Sequence, residues 1–149
     1  MNLDVSVKGE ARARLHLDDV GDRAKDPKAV LNRIADTLQS DQAANFRGQG
    51  SMFGGWAPNA PATLERKGSS RPLVATGALE QSLQKGRGKG KVRRVTKTRV
   101  TLGTSLFYGR FHQAGTSRGV PQRKIVGIRP VRTRLAVKML ERYIAEGRF

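Results

Sequence analysis

The densest concentration of charged chemistry lies in KGRGKGKVRR, where Lys85, Arg87, Lys89, Lys91, Arg93 and Arg94 place six cations within ten residues. Glycines at 86, 88 and 90 let the backbone approach a surface closely, so the run suits the phosphates of a nucleic acid. No aromatic side chain interleaves with it, so such binding would follow backbone charge and not base sequence. A solvated charge run, or one docked on an acidic protein surface, fits the same spacing equally well. The glycines do not make a nucleotide loop, because the Gly-Lys-Ser/Thr ending and the strand-to-helix setting are missing.

Catalytic groups are scarce. The two histidines, His16 and His112, stand at metal-ligand spacing from no other His, Cys or acid pair. His16 beside Asp18 and Asp19 reads as part of a solvated face, and His112, after Tyr108 and Phe111, as a packing or hydrogen-bonding residue. With no cysteine there is no disulfide, thiolate metal site or thiol nucleophile. The inventory predicts no enzyme, no metal, no cofactor and no small-molecule substrate. Trp56, the lone tryptophan, sits in GGWAPN among Met52, Phe53 and Pro58. These four form either the anchor of their own loop or a contact surface for a neighbouring subunit.

The elements that must position these residues follow from apolar period. The chain has 149 residues and suits one domain. Leu, Ile, Val and Phe make up about 23% of it, enough for a core but a thin one. Apolar runs reach four residues at most, so neither a membrane span nor an export signal is expected. Leu3, Val5 and Val7 alternate as in a strand, and Ala11, Leu15 and Val20 suggest a short helix, although Leu15 and Leu17 also fit a strand. A stronger helix opens at Asp26 and Pro27 and carries Val30, Leu31, Ile34, Ala35 and Leu38 on one face.

Residues 48–72 show no apolar period, which predicts an extended arm ordered by a partner, whose deletion would spare the fold. Thr76 caps a short helix with Leu79 and Leu83. Val92 with Val95 and Val100 with Leu102 form a hairpin turning near Lys97, so that residues 85–97 make a basic loop and hairpin tip. Leu106, Phe107, Tyr108 and Phe111 make an apolar cluster, and Ile125, Val126 and Ile128 a further strand. Leu135, Ala136, Met139, Leu140, Tyr143 and Ile144 fall on one face of a final helix ended by Gly147. The order predicts an α+β fold: a small antiparallel sheet with a hairpin packed against two or three helices, and one long loop ordered on assembly.

Charge divides the molecule. Residues 1–41 hold eight acids and seven bases, whereas the remainder holds 22 bases and four acids, within a total of +17. A subunit with a near-neutral end and a cationic end can stack on copies of itself or orient on a charged partner.

The ordered series FRGQG, GGWAPNAPATLERKG, PLVATGALEQSL, VTLGTSLFYGRFHQAG and VPQRKIVGI resembles the phage virion morphogenesis family, which includes tail-completion proteins. The matching positions in the first part of the series are Phe46, Trp56, Pro58, Thr63, Lys67, Leu73, Thr76, Gly77, Leu79 and Ser82. They continue through Gly103, Thr104, Tyr108, His112, Gln113, Gly115, Pro121 and Arg123. Where the family often has Arg-Pro-Phe, this chain has Arg123, Lys124 and Ile125. The resemblance implies a non-enzymatic component of the virion neck or tail, assembled in the host cytoplasm as a hexameric ring at the head–tail junction. Such a ring would meet a head-completion or connector protein on one side and a tail terminator or tail tube protein on the other, around packaged DNA. Six basic loops facing its lumen would present roughly 36 positive charges, a strong grip for a channel through which DNA slides. The rival reading is a small basic nucleic-acid-binding module, ribosome-associated or nucleoid-like.

Overall fold

The computed structural model describes residues 10–149; the strand expected around Leu3, Val5 and Val7 lies outside them. Six helices and one two-stranded antiparallel sheet follow in the described residues, an α+β arrangement. Helix α1 spans Glu10–Lys25 and α2 Lys28–Arg47. The helix starts one residue later than expected: Pro27, not Asp26, is the N-cap and no side chain caps the helix, although Asp26 Oδ1 accepts the Lys28 N–H at 3.3 Å from the position before it. Val30, Ile34, Ala35 and Phe46 are buried on α2, while Leu31 and Leu38 are half-buried. α1 is a helix longer than expected, and its Leu15 and Leu17 are 68% and 67% exposed, which removes the strand alternative.

The hairpin forms as its alternation predicts, β1 at Lys91–Val95 and β2 at Val100–Thr104, paired from Lys91↔Thr104 to Val95↔Val100. α2 and α4 (Ala78–Leu83) pack against it. Helix α6, Pro130–Glu146, lies along α1 and α2. Arg132 joins it to α2 through a paired contact with Asp41, Nε to Oδ2 at 2.6 Å and Nη2 to Oδ1 at 2.7 Å. At the other end Arg23 of α1 donates to the Ile144 and Ala145 carbonyls, the unpaired acceptors of the α6 terminus.

Two expectations need correction. Residues 48–72 are not an arm without structure: a 3₁₀ turn at Ser51–Phe53 and α3 at Pro61–Lys67 fold the segment onto its own chain. Trp56 belongs to the core with Phe46, Leu79, Leu83 and Ile125, its ring edge-on to Phe46 at 5.0 Å. Gly50, at φ +83°, permits this, because a Cβ there would overlap the indole. Deleting the segment therefore removes core, contrary to the expectation that the fold would survive.

The second correction concerns Ile125, Val126 and Ile128, which form no strand. They belong to an irregular strap over 119–129, and its backbone is held by side chains instead of a ladder. Phe107 also departs from its apolar cluster, standing 71% exposed beside α5, Gly109–Ala114.

Candidate functional site

Two regions carry the residues that sequence singled out. In the basic hairpin the six cations divide. Lys91 donates through Nζ to the Gln84 and Gly86 carbonyls at 2.6 and 2.7 Å, closing the loop on itself, and burial holds its pKa below the usual lysine range. Arg93 reaches α2, donating to Gln39 Oε1 at 3.2 Å, Asn32 Oδ1 at 3.1 Å and Asp36 Oδ1 at 3.0 Å. These two are fastenings of the fold. Lys85, Arg87, Lys89 and Arg94 are exposed and make no side-chain hydrogen bond or ion pair among the described residues, so they alone project a usable positive field. Lys97 at the tip pairs with Asp26 at 3.5 Å, tying the turn to the start of α2.

The acceptors for Arg93 were missed from sequence, yet their spacing carries a signal. Asn32, Asp36 and Gln39 recur at helical spacing beside the apolar face of α2. A polar stripe so placed on a packed helix needs a partner.

The second region gathers most of the motif residues around the strap. Gln113 of α5 accepts the N–H groups of Ile125 and Val126 at 2.8 and 3.0 Å and returns a bond from Nε2 to the Val126 carbonyl at 2.8 Å. A single carboxamide thus satisfies three backbone groups that a neighbouring strand would have taken. Asn45 and Trp56 both donate to the Lys124 carbonyl, at 3.1 and 3.0 Å, and Gln42 donates to that of Gly127 at 3.2 Å. Arg123, only 6% exposed, gives its backbone N–H to the His112 carbonyl and its guanidinium to the carbonyls of Ala57 and Pro58 at 2.8 and 2.7 Å. Trp56 is therefore an anchor of its own chain. Met52 and Phe53 are half-buried beside it, with the Lys124 ammonium 5.0 Å from the Phe53 ring centroid, and Pro58 stays exposed.

The remaining motif residues brace this frame. Ser82 Oγ donates to the Leu79 carbonyl and lies 2.9 Å from Thr104 Oγ1, linking α4 to β2 next to Gly103. Thr76 Oγ1 accepts from the Ala78 N–H at 3.4 Å, with Gly77 in the left-handed region at the helix start. Gly115, at φ +74° with an extended ψ, brings the α5 terminus against Gln122 of the strap.

Between α3, the turn into α4, α5 and the strap lies a cleft of about 910 Å³. Its walls mix Pro58, Leu73, Leu79, Tyr108 and Pro121 with Thr63, Arg66, Lys67, His112 and Arg123. Burial and the Arg123 charge hold His112 below the ordinary histidine pKa, and its Nδ1 is buried without a partner among the described residues. Burial, with Arg123 and Arg71 nearby, lowers Lys67 as well. The cleft is electropositive and no described acid is within ion-pair distance of Arg66, Lys67 or Arg123; Glu80 faces Arg71 at 3.9 Å. No cluster of three metal-ligating side chains occurs among the described residues, and no described helix is long and apolar enough to cross a membrane.

An α+β subunit most of whose motif side chains converge on one strap and one cleft defines a class more specific than its fold. The phage virion morphogenesis family model matches residues 10–145, and the chain belongs to that family. Comparison with curated proteins and with solved structures gave no match.

Proposed function

We propose that this virion morphogenesis protein is a tail-completion or neck component that forms a ring, hexameric in copy number, at the head–tail junction around the DNA channel. The family match over residues 10–145 carries the reading. In support, the chain beyond residue 41 carries 22 bases against four acids, a charge suited to DNA or to an acidic neighbouring ring. A head-completion or connector protein would sit on one side and a tail terminator or tail tube protein on the other. The role is structural, with no turnover.

The folded hairpin eases the difficulty of a channel that grips its cargo. With Lys91 and Arg93 committed internally, six copies would offer about 24 lumenal cations and not 36, which lowers the salt-dependent hold on DNA. The test is an image of particles assembled with and without this chain. Filled heads and complete tails left unjoined, together with density for a ring at the neck of complete particles, would support the reading. Normal particles lacking the chain would overturn it. The four exposed cations keep a second reading in play, a free nucleic-acid-binding module. It requires duplex binding by the isolated chain with a steep salt slope that disappears when Lys85, Arg87, Lys89 and Arg94 are neutralised.

A further inference from the structure

We infer that the cleft between α3, α5 and the strap is a receptor for an extended acidic peptide segment of another protein. Arg123 and Lys67 would bind its carboxylates, and the Leu73, Leu79 and Tyr108 walls would take its apolar side chains. This goes beyond the ring placement and stands independently of it.

Charge imbalance is the first ground. Arg123 is nearly fully buried, yet its guanidinium faces only neutral carbonyls; Nη1 makes no hydrogen bond among the described residues. Lys67, half-buried, spends its ammonium on the Arg71 carbonyl at 2.6 Å and is crowded by two arginines. A buried cation without a counter-ion is costly, and removal of water by a bound carboxylate strengthens the charge-assisted bonds that relieve it. The second ground is the orphaned His112 Nδ1 in the same cleft. Such a buried polar atom calls for an explanation in a native fold.

Shape selects peptide over nucleic acid. Arg123 is recessed behind carbonyls and apolar walls in a space of about 910 Å³, room for a few side chains of an extended chain. Duplex phosphates lie on a convex surface and are better met by projecting cations, which the hairpin supplies and the cleft does not.

The test uses the full chain and an amide-capped pentapeptide alternating leucine with glutamate, followed by NMR of the two histidines. His16 on the exposed face of α1 is the internal control. Binding should move the His112 resonances and raise its pKa, because a carboxylate favours imidazolium, while His16 stays fixed. Replacing the peptide's glutamates by glutamine, or making Arg66→Gln with Lys67→Gln, should weaken binding at least about tenfold. Arg66→Gln alone should keep the unfolding midpoint, and the double variant should lower it only by the loss of the Lys67 bond to the Arg71 carbonyl, with cooperative unfolding retained. An unmoved His112, or equal affinity for the glutamine peptide, would overturn the inference. So would a short DNA duplex that shifts His112 where the acidic peptide does not, which would assign the cleft to phosphate.

Discussion

The strap region and the α1–α6 pair are built on opposite principles. Around the strap, Phe46, Trp56 and Ile125 are buried, and the N–H groups of Ile125 and Val126 and the carbonyls of Lys124, Val126 and Gly127 are bonded by side chains of Gln42, Asn45, Trp56 and Gln113. On α1 and α6 no residue is buried, and Leu15, Leu17, Val131 and Val137 are at least half exposed. Arg23 clasps α1 to the α6 terminus, and Arg132–Asp41 clasps α6 to α2. One region is finished by its own chain, and the other has apolar surface to spare. The difference locates stability in one half and leaves the other half adaptable.

Substitutions graded by size can break or sharpen that contrast. Trp56→Ala should cost about 3–5 kcal/mol in denaturant unfolding, through lost core volume and the lost bond to Lys124. A change below 1 kcal/mol would mean that the strap side is not the stable half. Gln113→Ala leaves two N–H groups and a carbonyl of the strap without protein partners and should cost about 2–3 kcal/mol. Amide exchange at Ile125 and Val126 should accelerate in step.

Asp41→Ala removes the clasp on α6 and should cost about 1–2 kcal/mol, with exchange rising in α6 before the strap. His112 adds a weaker pH effect confined to the strap side. Its folded pKa lies below the ordinary histidine value of about 6.5, so the unfolded chain takes the proton first as acidity increases. Stability should therefore fall from near that value down to the lowered one, and His112→Gln should flatten the decline. Leu17→Ala should change the free chain's stability by no more than about 0.5 kcal/mol. A larger loss would show that α1 is buried against something in solution.

Elements with their own periodicity were readable from sequence. α2 and α6 follow from apolar residues three and four apart, and the hairpin follows from Val92, Val95, Val100 and Leu102 around a polar turn. An anchoring role for Trp56 was one of two readings the sequence allowed, but its partner, the Lys124 carbonyl, is 68 residues distant and no local pattern encodes the meeting. The strap misled for a different reason. Ile125 and Val126 have the β-branched composition of a strand, but donors and acceptors from α2 and α5 take the ladder's place. Of the basic run, composition counted six cations, while only the fold separates fasteners from free charges.

The strap is gripped partly by its main chain, which leaves individual N–H groups with no role in the frame. At Lys124 the carbonyl is clasped by Asn45 and Trp56, whereas the N–H enters no bond among the described residues. An imino acid at that site forfeits no hydrogen bond of the frame. Position 126 has no such latitude, since its N–H is spoken for.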